Sequence, residues 1–409
     1  MNAKERSCKR KNTHVNVKNS FLRRVWGSLA QNHLPAVISF LSEVTIVMIS
    51  IYLPYRASQL GADSLLVGLV GASGSAVYMF APFFTGRLSD RIGPKRLLAA
   101  GASVVAGLCF VYTLVGDPMV FVALRVLEGI AWAMIWPPLE ALYSVSGSDT
   151  YKSMKTFNMA WGLGAIAAPL LGSFIVDRVS VSGTLLASAV AMLLALVASL
   201  RLKGRRPLHT VAVRQQKSRL DPVATIVMLS FAMVYGVTMA TFSTFFPKFA
   251  TSLNLSATLW GTVLSVLLAG RLLAFIVSER VRFILGMRKT QTIFLLVATL
   301  FPVYSVLPNP DPYLLALSSL VTGLGLGLVY SATLSGMLTG PAEGRGRSAG
   351  LFESSLGFGS FIGPALAGVV ASAGLWLTMV LPLVPMLGAL VAGWSRRQRV
   401  SGPFVEVAT

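Results

Sequence analysis

Acid is what this 409-residue chain has least of: 15 Asp and Glu stand against 35 Lys and Arg, and only 12 % of its residues are charged. Soluble domains carry about 25 % charge, so a soluble fold that is 54 % hydrophobic would lack the polar groups to cover its exterior. The two cysteines, Cys8 in a polar tail and Cys109 in an apolar run, provide no disulfide framework or metal cluster. His14, His33 and His209 lie outside the apolar runs, which argues against a haem or zinc site. No Ser–His–Asp set and no phosphate-cradling glycine–lysine loop is found. An enzyme and an ATP-driven pump are therefore not expected, and neither is a cofactor. What the chain has in abundance is long apolar runs, and these predict an all-α integral membrane protein.

A net charge of +20 raises the question of nucleic acid, and the placement of the bases answers it. About 20 apolar residues cross a bilayer, and twelve such stretches are predicted: 35–55, 64–86, 97–115, 119–143, 157–176, 182–201, 223–246, 257–279, 290–308, 312–336, 349–371 and 375–394. Thirty of the 35 bases, counting Arg201 with the linker it borders, lie in the two tails and the even-numbered connections. Arg56, Arg178 and Lys248 lie in odd-numbered connections, and Arg125 and Arg271 lie within spans. This is the positive-inside pattern. It predicts a multi-pass protein of the cytoplasmic membrane with both termini in the cytoplasm, lipid as its surroundings and no nucleic-acid partner. The run 35–55 is too long for a signal-peptide core and reads as the first span.

The divisions follow: a basic tail 1–34, a six-helix bundle 35–201, a basic linker 202–221, a second bundle 222–394 and a tail 395–409. The two bundles superpose in sequence. Pro54, Leu60, Gly68 and Gly93 match Pro247, Leu253, Gly261 and Gly286 at a shift of 193. Asp117-Pro118 and Gly129 match Asp311-Pro312 and Gly323 at 194, and Gly162-x-Gly164-x4-Pro169 matches Gly357-x-Gly359-x4-Pro364 at 195. Duplicated helical halves around a central site are what alternating-access transport requires, and no ring of filter carbonyls or acids suggests a channel.

Between spans 2 and 3 the chain reads Gly86-Arg87-Leu88-Ser89-Asp90-Arg91-Ile92-Gly93-Pro94-Lys95-Arg96. This resembles the signature loop of the major facilitator superfamily, G-x-L-x-D-R-x-G-x-[KR]-[KR], with Pro94 at a commonly basic place. Physically, Gly86 permits close helix approach, Gly93 a tight turn, and Asp90 is one acid among four bases. The resemblance implies that Gly86, Asp90, Arg91, Gly93 and Arg96 latch the two halves on the cytoplasmic side. Arg125-x-x-Glu128-Gly129 is similar to the family's R-x-x-Q-G motif. Gly162-x-Gly164-x4-Pro169 is similar to a glycine–proline motif of its antiporters, and Gly363-Pro364 keeps the dipeptide in span 11. Close helix packing explains these five residues equally well.

Charges inside a bilayer cost roughly 2.5–3.5 kcal/mol each on insertion scales, so they should pair, protonate or face a cavity. Glu43 lies about 12 Å into span 1, near the midplane, on a polar face with Ser39, Ser42 and Ser50, and is a candidate proton carrier. Arg125 pairs either with Glu128, one turn away, or across to Glu43, leaving Glu128 to titrate. Trp132 and Trp136 continue the Glu128 face and suit an organic ligand, or else pack against neighbouring helices. Glu140 and Glu353 lie near cytoplasmic ends, where a latch is expected. Arg271 pairs with Glu353, snorkels or holds an anionic substrate. The second half has Gly236, Ser319 and Thr322 where the first has Glu43, Arg125 and Glu128. The expected function is proton-coupled efflux of a small organic compound by a chain that works as a monomer. The alternatives are proton-coupled import of an organic anion or sugar, and a transport-inactive sensor or scaffold.

Overall fold

The computed structural model describes residues 34–144, 150–202, 222–338 and 345–395. They are helical throughout, and no strand occurs among them. In chain order the helices are α1 (Leu34–Gln59), α2 (Ser64–Tyr78), α3 (Ala81–Ile92), α4 (Pro94–Leu114), α5 (Pro118–Ala133), α6 (Trp136–Ser144), α7 (Thr150–Arg178) and α8 (Val181–Arg201). There follow α9 (Pro222–Ser252), α10 (Ala257–Leu285), α11 (Met287–Val297), α12 (Leu300–Ser305), α13 (Pro312–Leu338), α14 (Arg345–Val370), α15 (Leu377–Val380) and α16 (Leu383–Ser395). Eight stretches among the described residues are long and apolar enough to cross a bilayer: α1, α4, α5 with α6, α7, α8, α9, α10 and α13.

Four of the expected spans are not continuous helices. The stretches 64–86, 119–143, 290–308 and 375–394 break into α2/α3, α5/α6, α11/α12 and α15/α16. Each break lies beside prolines: Pro82, Pro137 with Pro138, Pro302, and Pro382 with Pro385. A proline ring clashes with the carbonyl four residues back and removes an N–H, so the helix stops and restarts. Elsewhere helices overrun the apolar run by a turn or more, as α10 does to Leu285.

The sequence repeat reappears as repeated local geometry. Asp63 caps α2 by accepting from Leu66 N, and Ser256, 193 residues on, caps α10 by accepting from Leu259 N. Asp117 Oδ1 accepts from Met119 N and Asp311 Oδ1 from Tyr313 N, both at 2.9 Å. Gly93 and Gly286 turn the chain at φ +91° and +75°, values an L side chain rarely adopts.

Helix contacts repeat as well. Gly129 lies against the carbonyl of Gly74, and Gly323 against that of Leu267; Gly164 lies against the carbonyl of Phe40, and Gly359 against that of Met233. Two further contacts exchange partners. Gly261 on α10 meets Pro169 and Ser173 on α7, whereas Gly68 on α2 meets Pro364 and Gly368 on α14. These seams, α7 with α10 and α2 with α14, join residues from before and after the 203–221 stretch. Backbones approach this closely only where side chains are absent. A Cβ at Gly323 would overlap the Leu267 carbonyl, whereas one at Gly107 meets nothing within 4 Å. Gly323→Ala should therefore lower stability in detergent by about 1–3 kcal/mol while Gly107→Ala leaves it unchanged or slightly raised; chemical denaturation of the two variants checks this.

Candidate functional site

Two buried ion pairs hold four of the charges that the apolar spans carry. In the first, Glu128 on α5 is saturated with donors. Arg125 Nη1 lies 2.6 Å from Oε1, Trp132 Nε1 donates to the same oxygen at 2.7 Å, and the Tyr112 hydroxyl on α4 donates to Oε2 at 2.6 Å. Arg125 Nε donates to the Val70 carbonyl on α2 at 3.2 Å. Gly74 leaves room for the guanidinium, and Gly129 brings α5 against α2 at that level. Arg125 therefore pairs with Glu128 and not across to Glu43.

The second pair crosses between α1 and α10. Glu43 Oε1 lies 3.9 Å from Arg271 Nη2, beyond hydrogen-bond distance, with both side chains buried. Gly164 brings α7 against α1 at Phe40 and Glu43, and Trp161 lies one turn earlier on α7. The Arg271 guanidinium stands 4.4 Å over the Trp161 ring, which stacks on Phe275 at 5.9 Å. Its Nη1 reaches the Tyr235 hydroxyl on α9 at 3.3 Å. Tyr235 in turn packs on Tyr330 at 4.9 Å, and Tyr330 on Phe352 at 5.1 Å. Of the polar groups here, Arg271 Nε and Nη2 and the hydroxyls of Ser39 and Ser42 are buried with no hydrogen-bond partner.

Next to this aromatic cage, Glu140 on α6 and Glu353 on α14 are exposed and near enough for their charges to act on one another. Arg87, Leu88 and Arg91 are exposed too, and a Cβ at Gly86 would meet nothing within 4 Å. Gly86 thus makes no close helix approach here. Asp90 falls in α3, but its side chain lies outside the described residues. Lys95 and Arg96 open α4 after the Gly93 turn.

The opposite end of the bundle is joined. Asp177 at the end of α7 accepts from Ala257 N, Thr258 N and the Thr258 hydroxyl at the start of α10, at 3.2, 2.8 and 2.5 Å. A carboxylate suits the positive end of a helix dipole. Lys248 on α9 donates to Ser64 on α2 at 3.1 Å, and Trp260 lies 5.5 Å from both Tyr52 and Tyr55.

The helices are thus tied together at the Asp63 end, while charged side chains are exposed toward the Gly93 end. The profile of the Major Facilitator Superfamily matches residues 36–338. The chain belongs to the Major Facilitator Superfamily. Over 133 residues it is 34 % identical to the chloramphenicol resistance protein CraA of Acinetobacter baumannii, covering 32 % of each chain. It is 23 % identical over 198 residues to the uncharacterized MFS-type transporter YhjO of Bacillus subtilis, covering 47 % of this chain and 49 % of that one. The chain thus spans a third to a half of the length of these relatives. Among solved structures, a variant of the nucleoside transporter NupG superposes with TM-score 0.78 over 89 % of this chain and 99 % of that one, at 16 % identity. A bacterial homolog of the human lysosomal transporter Spinster, in an inward-facing and occupied conformation, gives 0.71 over 92 % and 97 %, at 15 % identity. This superfamily member accordingly has the fold of those transporters.

Of the residues singled out from sequence, Glu43 and Arg271 come together, as do Arg125, Glu128 and Trp132. Trp136 stacks on Trp132 at 6.3 Å and abuts Phe157 inside the first set of helices. Among the described residues, Arg271 pairs with Glu43 and not with Glu353. Gly162 meets Leu272, and Gly363 meets the Val237 carbonyl. Tyr112, Trp161 and Tyr235 were not anticipated. Trp161 directly precedes the Gly162-x-Gly164 face, a signal available in the sequence; a lone tyrosine in an apolar run gives none. Removing Glu128 as Glu128→Met should cost about 3–5 kcal/mol, because Arg125 stays charged and buried without a counter-ion. Arg125→Met/Glu128→Met should cost less than that single change, and unfolding of the three proteins in detergent compares them.

Proposed function

We propose that the chain is a secondary active transporter working by alternating access, built as twelve passes in two six-helix halves, 35–201 and 222–394, joined by the linker 202–221. Helix pairs α2/α3, α5/α6, α11/α12 and α15/α16 each count as one pass. The observation that carries this reading is the exchange of partners in the two seams: the α7–α10 contact of Gly261 with Pro169 returns as the α2–α14 contact of Gly68 with Pro364. A two-fold relation of this kind supports two bodies that rock about their shared seams.

The basic bias supports placing both termini and the Gly93 end in the cytoplasm of the plasma membrane, with the described state open inward. In that reading Asp177 and Lys248 close the outer gate, and the loop from Gly86 to Arg96, with Asp90, and Glu353 serve the inner one. Glu43 carries the proton, with Arg271 as its counter-charge, and Arg125–Glu128 fixes the first half or takes part in proton passage. Efflux of a small organic compound draws support from the likeness to CraA and from the glycine–proline run of α7. Uptake of an organic anion together with a proton draws support from the unpartnered edge of Arg271.

In vesicles of known orientation, proton movement driven by a panel of drugs, sugars and organic acids should be seen with the parent and be absent with Glu43→Gln, which stays folded and inserted. Unchanged coupling in the variant would remove Glu43 from the mechanism. Asp177→Ala should raise cysteine labelling at the Asp63 end and lower it at the Gly93 end; identical labelling in variant and parent would count against the outer gate.

A further inference from the structure

Among the described residues, Arg271 is the charged group with the most buried donors left open. A guanidinium keeps its proton in proteins, and buried polar groups are nearly always hydrogen-bonded; each one left open costs about 1–3 kcal/mol. Arg125 conforms, with Nε on the Val70 carbonyl and Nη1 on Glu128. Arg271, equally buried, engages only Nη1, with Tyr235, and leaves Nε and Nη2 open. Those two nitrogens form one edge of the guanidinium, and their N–H bonds run parallel. That edge matches the two coplanar oxygens of a carboxylate. Glu43 does not fill it, since its nearest oxygen stays 3.9 Å from Nη2.

The surroundings describe the rest of the ligand. Trp161, Phe275 and Tyr330 stand around the guanidinium as flat apolar faces, with Phe275 5.6 Å from Tyr330. Ser39 and Ser42, within a turn of Glu43 on α1, have buried hydroxyls with no hydrogen-bond partner. The titratable groups around the pair are Tyr78 on α2, Glu140 on α6, Tyr235 on α9, Tyr330 on α13 and Glu353 on α14. Among the described residues, Arg271 is the lone base beside them.

We propose that the Nε–Nη2 edge of Arg271 binds the carboxylate of a small aromatic monocarboxylate, whose ring lies on the Trp161–Phe275–Tyr330 faces and whose charge displaces Glu43 as the counter-ion of Arg271. Glu43, left without its counter-charge in a buried site, then takes one proton from water, so that anion and proton enter together and the site's net charge is unchanged. This deepens the proton-linked reading of Glu43 and selects its co-transport form.

The test uses the full chain in lipid nanodiscs without any gradient. Benzoate, its neutral isostere benzamide and its cationic isostere benzamidine share one planar shape and are titrated calorimetrically. Saturable benzoate binding is expected, roughly tenfold or more tighter than that of benzamide, with benzamidine failing to compete. Arg271→Lys keeps the charge but not the fork, and should weaken benzoate by roughly tenfold or more. In weak buffer with a pH indicator, benzoate should draw one proton per site into the parent, and Glu43→Gln should bind benzoate without drawing one. Absence of saturable benzoate binding, equal binding of benzamide or benzamidine, undiminished binding by Arg271→Lys, or proton uptake by Glu43→Gln would each overturn the proposal. Should Arg271→Lys fail to fold, the three isosteres on the parent decide alone. Benzoate binding without transport in vesicles would sink the transporter reading and leave the site standing, whereas transport of cations with no benzoate binding would do the reverse.

Discussion

A charge placed among apolar helices has to be answered within a few ångströms, and the helices around each charge are arranged to do so. Arg125 and Glu128 are one turn apart on α5, but the pair is completed from three other places: Tyr112 on α4, the Val70 carbonyl on α2, and Trp132 further along α5. The absence of side chains at Gly74 and Gly129 lets α2 and α5 close on the pair. In the second pair Gly164 does the corresponding service, bringing α7 against Glu43. Packing by small residues and compensation of charge are thus one arrangement, since a bulkier residue at these positions would separate the partners.

The residues one sequence repeat further on meet the same geometry without charge. Ser319, which corresponds to Arg125, donates to the Val263 carbonyl at 2.9 Å, and Val263 corresponds to Val70. Thr322, which corresponds to Glu128, accepts from Phe301 N at 2.9 Å. Hydroxyls therefore suffice to tie these helices together, and the ion pair in the first half exceeds what the packing needs. Buried pairs seldom add stability over a neutral alternative, so packing alone does not account for Arg125 and Glu128.

Much of this was legible in the sequence because it is local or periodic. The apolar runs, the caps at Asp117 and Asp311, the turns at Gly93 and Gly286 and the register of the repeat all follow from residues a few positions apart or from a fixed shift. The Arg125–Glu128 pair was legible for the same reason. The Glu43–Arg271 approach was not, because 228 positions separate the two and only the packing of α1 against α7 and α10 brings them together. Continuous spans were expected where helices break, since an apolar run records hydrophobicity while Pro137, Pro302 or Pro382 acts on the backbone. The placement of Trp132 and Trp136 inside the first half likewise depends on how α5 rotates toward α4 and α7, which four-residue spacing alone does not fix.

Both pairs are neutral as units, one positive and one negative group each, and this bears on how the molecule answers to voltage. A potential of 100 mV acts on a charge that crosses the membrane with about 2.3 kcal/mol. At the level of Arg125–Glu128, both on α5, a rocking motion carries opposite charges together, and the field does no net work on the pair. Glu43 on α1 and Arg271 on α10 belong, on the alternating-access reading, to different halves, so the same motion displaces them relative to one another. The response of an empty protein to voltage would then come from the second layer and not from the first.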